Sequence, residues 1–237
     1  RLLRLTRIAF LMAEARWATV WNQHGIFQPN KKDRVFNRDD VAVYLQSLDL
    51  DAGMAQALSA KEAMKVCGIN QDGIWLPRGA SLNLSDATQD ALKPHAKLTC
   101  RWNTSVARLK SVEDGWGLYG TEDELIMTGD KVIIAAALET KKLAASIDVR
   151  LPLRPVRGQL SIFSVDAKNS WASKMPRTAI SGDGYCLPAE KLSDGSYQWI
   201  VGSSFDEGHS DLQDWDSSDD FNRKQAKSLL NYEDGDL

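Results

Sequence analysis

The spacing of apolar positions changes several times along the chain, and each change marks an element. Leu5, Ile8, Leu11 or Met12, Ala15 and Thr19 recur at intervals of three and four, with Arg4, Arg7, Glu14 and Arg16 largely elsewhere. That pattern predicts an amphipathic helix. Gly25 to Gln28 reads as a short strand. Asp39-Asp40 offers a helix start before VAVYLQSL. Ser59, with Glu62 three residues later, forms a capping-box pattern ahead of Ala63 to Val66, and Gly68 supplies the stop. Trp75 to Pro77 reads as strand or loop, and Ser85 as the cap of a helix that runs through Leu92 and ends at Pro94.

Farther on the period falls to two. KLTCRWNTSVARLKSVEDGWGLYG predicts strand, strand, turn and strand, with Asp114-Gly115 as the hairpin signal. Lys131 to Ala136, KVIIAA, is a continuous apolar run, the pattern of a strand buried on both faces. Pro152 and Pro155 cannot donate to a ladder and bias the residue before each towards an extended backbone, so they predict the entry to a strand at Leu160 to Val165. Arg157-Gly158-Gln159 opens that strand. Its two polar side chains are two residues apart and share a face, and the glycine between them permits a close approach. Thr178 to Leu187 and Gln198 to Ser204 read as further strands, Trp171 to Met175 as loop or short helix, and Ser217 or Ser218 as the cap of a last helix from Asn222 to Leu230. Strands and helices are mixed throughout, and the expected class is α+β.

Composition narrows the function more than the fold. With 237 residues, 43% of them hydrophobic, the chain can bury a real core as one domain or two intertwined ones. The net charge of −3 hides an asymmetry, because acidic residues concentrate from Asp206 onward, where only Arg223, Lys224 and Lys227 oppose them. The slight positive excess left on residues 1–205 is too small to argue for nucleic-acid binding. Cys67, Cys100 and Cys186 are odd in number and form no CxxC pair, so neither a disulfide framework nor a zinc site is indicated; a reducing, cytoplasmic setting fits. Arg7, Glu14 and Arg16 interrupt the apolar start, so it predicts neither a signal peptide nor a membrane span. His24, His95 and His209 are far apart. The acidic run from Asp206 to Asp216 lacks the glycine and terminal glutamate of a calcium loop, so no metal is expected.

A dinucleotide site needs a strand, a G-x-G-x-x-G turn and a helix whose N-terminus receives the pyrophosphate. The nearest candidates, Gly115-Trp-Gly117 and Gly182-Asp-Gly184, lack a third glycine and lead into strand-like residues. Neither is a phosphate cradle.

Three stretches, LPLRPVRGQ at Leu151 to Gln159, GDGYCLPA at Gly182 to Ala189 and IVGSSFDEG at Ile200 to Gly208, resemble in this order the flavin-dependent oxidoreductase half of the MnmC family. These are bifunctional enzymes that modify the wobble uridine of tRNA. GIFQPN at Gly25, LSAKEAMKVCGI at Leu58 and GIWLPRGASLNL at Gly73 extend the likeness. More distantly the chain resembles glycine oxidase and other amine oxidases of the D-amino-acid-oxidase fold. The resemblance implies that fold in incomplete form, with a flavin-binding portion from residues 1–22 and 82–140 interleaved with a substrate portion from 23–81 and 141–237. It places the glycine-rich turn upstream of residue 1, and the absence of an initiating methionine fits a partial chain.

For activity the resemblance implies FAD-dependent oxidation of carboxymethylaminomethyl-uridine to the aminomethyl form with release of glyoxylate. Its implied partners are tRNA and a methyltransferase module of the same parent protein. The alternatives are a glycine-oxidase-like amine oxidase and, because the phosphate loop is missing, a non-catalytic fragment. Tyr185 matches the tyrosine of the family's "GY-x-x-P" strand, which holds substrate in glycine-oxidase-like enzymes, and Arg157 is the nearer basic candidate for the substrate carboxylate. Val106 is implied beside the adenine, with Ala135 and Ala136 at the end of the buried strand. Read as residues, Tyr185 is equally an aromatic packed in a strand and the alanines equally core, while for Arg157 a buried ion pair or a hydrogen bond to backbone is the favoured use. The chain departs from the family where a "GGW" triplet, near the expected flavin ring, stands as Gly79-Ala80-Ser81.

Overall fold

The computed structural model describes residues 2–31, 34–93, 97–166, 168 and 175–230. In chain order its elements begin with α1 (Leu2–Arg16), β1 (Trp21–Gln23), β2 (Ile26–Pro29), α2 (Arg38–Ser47), β3 (Gln56–Leu58), α3 (Ala60–Val66) and β4 (Gly73–Leu76). They continue with β5 (Ala80–Leu82), α4 (Leu84–Ala91), β6 (Arg108–Val112), β7 (Gly115–Tyr119), β8 (Leu125–Gly129), α5 (Thr140–Ala145) and β9 (Val156–Arg157). The last are β10 (Leu160–Val165), β11 (Ala179–Ser181), β12 (Tyr185–Cys186), β13 (Glu190–Lys191), β14 (Tyr197–Gly202), β15 (Asp206–Glu207) and α6 (Asp216–Leu230). They fall into two compact units. The first comprises residues 1–93, 158–205 and 212–237, and the second 94–157 and 206–211. No helix among the described residues is long and apolar enough to cross a membrane.

The first unit is built on an eight-stranded mixed sheet in the order β10-β14-β12-β11-β2-β4-β3, with β13 also paired to β14. β11 runs parallel to β2, and the other pairs are antiparallel. Strand alternation sends Phe27, Ile180, Cys186, Trp199 and Val201 to one face, where they form the core with Cys67, Ile69 and the inner side of α6. Helix α6 turns Ser218, Asn222, Ala226, Leu229 and Leu230 inward at spacings of three and four. Burial of each large apolar side chain contributes roughly 1.5–3 kcal/mol. Gly25, at φ +73°, lies under the ring of Trp75, so any side chain there would displace the indole. The second unit holds the antiparallel meander β6-β7-β8 and the two-stranded ribbon β9-β15.

Most predicted elements are present, with shifted boundaries. The α1 helix, the capping box of α3 and the Asp114-Gly115 hairpin are found as read. The capping box is closed by the Ser59 N–H and hydroxyl, which both donate to Glu62 Oε2, at 2.9 and 2.7 Å. Two helix starts move to asparagine. Asn37 Oδ1 caps α2 by accepting from the Asp39 and Asp40 N–H groups, and Asn83 Oδ1 caps α4 through Ser85 and Asp86. Asparagine competes well for this position, and the residues read as caps become the first turn. Helix α6 likewise starts at Asp216, with Ser217 and Ser218 inside it. Thr178 to Leu187 is two short strands around a turn. Pro94, His95 and residues 171–174 lie outside the described residues.

Two strand predictions are corrected. Residues 98–106 carry no regular structure, and Leu98 and Trp102 are exposed there. Their alternating pattern has no apolar surface to face, and Arg101 ties the segment down by donating to the Ile126 carbonyl at 2.9 Å. Lys131 to Ala136 is not a buried strand either: its residues alternate between exposed and half-buried, and Ile133 is 92% exposed. A strand buried on both faces needs a ladder partner and a covered face. Among the described residues neither is supplied to 131–136.

Candidate functional site

Tyr185 occupies β12 opposite Gly202 of β14 and Ser181 of β11. Cys186 next to it points into the core, so alternation puts the phenol on the opposite face of the sheet. Its cross-strand neighbours are both small, which leaves the ring standing on an open floor. Leu160 and Ile162 of β10, aligned with Gly202 and Ile200, border that floor and are themselves 48% and 59% exposed. A Cβ added to Gly202 would lie 2.6 Å from Leu160 Cδ2, so the glycine keeps the floor flat. Partial burial disfavours the phenolate and holds the Tyr185 pKa above its ordinary value of 10.0. The hydroxyl is therefore a neutral donor throughout the physiological range.

Cys186, on the covered face, is pushed up to about 12 by burial, and burial also raises Cys67. Both thiols are inert packing groups. His24 sits at the junction of the β1-β5 ribbon and the sheet. Its Nδ1 lies 2.7 Å from the Gly25 carbonyl and its Nε2 lies 3.0 Å from Ser81 Oγ. That pairing had no local signal, because its partners are 57 residues apart in the chain.

The Arg157-Gly158-Gln159 stretch is engaged within the fold. In the second unit the Arg157 side chain is 6% exposed, donates to Asp206 Oδ2 at 3.1 Å and lies 3.5 Å from Asp211 Oδ1. In the first unit Gln159 fastens the start of α6: its Nε2 donates to the Trp215 carbonyl and to Asp219 Oδ1 at 3.2 and 2.9 Å, while its Oε1 accepts from the Trp215 N–H at 2.9 Å. Asn222 completes the join through donation to the Gln159 carbonyl and Ser161 Oγ, both at 2.9 Å. At these contacts the stretch that carries the Arg157 candidate holds its own chain together.

The adenine-side candidates lie in the second unit. Val106 is half-buried at the approach to β6, where the next residue's N–H bonds the Tyr119 carbonyl at 2.8 Å. Ala135 is exposed. Ala136 is half-buried, its N–H donates to Thr140 Oγ1 at 3.2 Å, and its carbonyl accepts from Glu139. Residues 131–136 run outside any ladder. Gly115-Trp-Gly117 belongs to β7, and Gly182-Asp-Gly184 forms the β11-β12 turn with the Gly182 N–H donating to the Gly184 carbonyl. Neither opens a helix. Among the described residues no group of His, Cys, Asp and Glu is arranged to hold a metal ion.

Comparison with known proteins places these features in a family. The chain is 30% identical over 222 residues to the tRNA 5-methylaminomethyl-2-thiouridine biosynthesis bifunctional protein MnmC of Ralstonia nicotianae, which covers 88% of this chain and 32% of that protein. Its counterpart in Cupriavidus necator is 29% identical over 201 residues, covering 82% and 29%. The chain thus spans about a third of the length of the curated relatives it matches. Among solved structures, glycine oxidase from Geobacillus kaustophilus superimposes with a TM-score of 0.68 at 16% identity, over 97% of this chain and 62% of that one. Glycine oxidase from Bacillus cereus gives 0.69 at 14% identity, over 97% and 63%. The fold is therefore that of the D-amino-acid-oxidase class. The family profile described as "DAO: FAD dependent oxidoreductase" matches residues 1–236, and the chain belongs to that family.

Proposed function

We propose that this chain forms part of an enzyme that uses FAD to oxidise the carboxymethylaminomethyl group of wobble uridine in tRNA, giving the aminomethyl base and glyoxylate. The observation that carries the reading is Tyr185: a half-buried, neutral phenol on an open sheet face, flanked by Ser181 and Gly202 and bordered by Leu160 and Ile162. Similarity to the MnmC proteins supports tRNA as the substrate and a methyltransferase module as a companion. Free cysteines, one of them exposed, fit a cytoplasmic setting.

The residues present suit the adenine half of FAD. Ala135 and Ala136 are small, Val106 is half-buried at the approach to β6, and residues 131–136 run outside any ladder. The described glycines do not form a pyrophosphate cradle. FAD when bound supplies a two-electron acceptor. The protein's share is to hold the amine neutral and oriented. The Tyr185 hydroxyl donates to the carboxylate of the glycine unit, and Leu160, Ile162 and Ile200 offer apolar surface beside the methylene carbon that loses hydride. Loss of hydride from that carbon and a proton from nitrogen leaves a C=N bond. Water adds to the carbon, the C–N bond breaks, and glyoxylate departs.

A glycine-oxidase-like reaction on a free amino acid uses the same bond and the same face, and the fold neighbours favour it as the second reading. Mass spectrometry of nucleosides from tRNA incubated with the FAD-loaded enzyme separates the two. Conversion of carboxymethylaminomethyl-uridine to aminomethyl-uridine with stoichiometric glyoxylate supports the first. An unchanged nucleoside with peroxide released from glycine rejects it.

A further inference from the structure

A concavity in the first unit, about 720 Å³, contains none of the residues assigned above. It gathers Gln28 and Asn30 from the end of β2, Lys31, Arg34 and Phe36 from the connection to α2, and Gln71 before β4. The turn between β11 and β12 and the C-terminal end of α6 close it. Its size is that of a cofactor- or nucleotide-sized site, far larger than a lone anion needs.

The chemistry of the walls is specific. Lys31 Nζ is paired with Asp183 Oδ1 at 2.6 Å, but both side chains are more than half exposed, and such a pair is worth little in water. Among the described residues of the rim those two charges offset each other, and Arg34 adds a positive one. The Arg34 backbone is fixed, since its carbonyl accepts from Asn30 Nδ2 at 2.7 Å and its N–H donates to the Lys31 carbonyl at 3.0 Å. The planar guanidinium at this position can meet a phosphate with two parallel N–H groups. Phe36, half-buried, offers a ring to stack on. The amide of Gln28 and the remaining oxygen of Asn30 supply both a donor and acceptors for a base edge.

We propose that this pocket binds a nucleotide unit, with phosphate at Arg34 and Lys31 and the base against Phe36. Assigning that nucleotide to RNA rests on the proposed tRNA substrate; the pocket would then hold a residue flanking the one that reacts. A free mononucleotide has the same chemistry, and the test tells the sources apart.

The test is fluorescence anisotropy of a labelled anticodon stem-loop RNA with the FAD-loaded protein, over a range of salt concentrations. Arg34→Gln should weaken binding by about five- to thirtyfold and lower the slope of log K against log salt by about 0.7, the value for one single-strand phosphate. Phe36→Leu should weaken binding without changing that slope, and Arg34→Lys should keep it. Uridine monophosphate as competitor identifies the source: displacement only at concentrations far above the RNA Kd indicates RNA, and displacement at comparable concentrations indicates a free nucleotide. Binding of RNA that is indifferent to Arg34→Gln and Phe36→Leu, or no binding of either RNA or the mononucleotide, overturns the pocket assignment. Oxidation of the wobble nucleoside is measured separately, so loss of the pocket assignment leaves that reading to its own test. Arg34 and Phe36 lie outside the Tyr185 face, so flavin content, read from the visible spectrum, should be unchanged in both variants.

Discussion

At the scale of single residues, Tyr185 separates a binding role from a packing role. If its hydroxyl donates to the substrate carboxylate, Tyr185→Phe loses one neutral-to-charged hydrogen bond of about 1.5–3 kcal/mol, or about ten- to a hundredfold in kcat/KM. Flavin content should stay normal, as read from the visible spectrum. The pKa is displaced upward, so the donor form persists as pH rises through 10.0, and no loss of kcat/KM from Tyr185 should appear below that value. Arg157 gives the opposite expectation. Its guanidinium is 6% exposed between Asp206 and Asp211, so Arg157→Ala leaves two carboxylates without this cation and should destabilise the protein by about 2–4 kcal/mol in chemical denaturation. The sequence marked both residues as candidates. It could not say where their bonds go, because Asp206 is 49 residues from Arg157 in the chain.

At the scale of elements, the junction between β10 and α6 is the most constrained part of the first unit. Asn222 is fully buried and bridges the Gln159 carbonyl and Ser161 Oγ. Asn222→Ala removes two buried hydrogen bonds, leaving the Gln159 carbonyl to the Ser204 N–H alone, and opens a small cavity, so a loss of about 2–4 kcal/mol is expected from urea unfolding. The capping box of α3 carries a pH signature. Hydrogen bonds from Ser59, helped by Arg38, hold the Glu62 carboxyl below its ordinary value of 4.5, so its contribution is present above that value and fades as pH falls through the lowered one. A Tm difference between wild type and Glu62→Gln should be visible at neutral pH and vanish in acid. Such local devices were legible, since a capping box spans four residues and a hairpin turn two. The run Lys131 to Ala136 was misread for the same reason, because its composition is that of a buried strand and the surroundings decide whether a strand forms.

At the scale of the whole molecule, the fold class and family followed from the order of short motifs, while the nucleotide-sized pocket had no signature in the sequence. Its walls come from segments around residues 28–41, 71–74, 182–183 and 228–229, and only the sheet order brings them together. The face proposed for substrate was half legible: the GY-x-x-P pattern named Tyr185, but its small neighbours Ser181 and Gly202 are defined by strand register. The central claim is that this face presents the carboxymethylaminomethyl group of tRNA to FAD. Anaerobic mixing of the FAD-loaded enzyme with tRNA bearing that group tests it most directly, followed by flavin absorbance in a stopped-flow instrument. Rapid bleaching by the modified tRNA, with no comparable bleaching by glycine or by tRNA lacking the group, is the predicted result. Bleaching by glycine alone, with the modified tRNA inert, would contradict it.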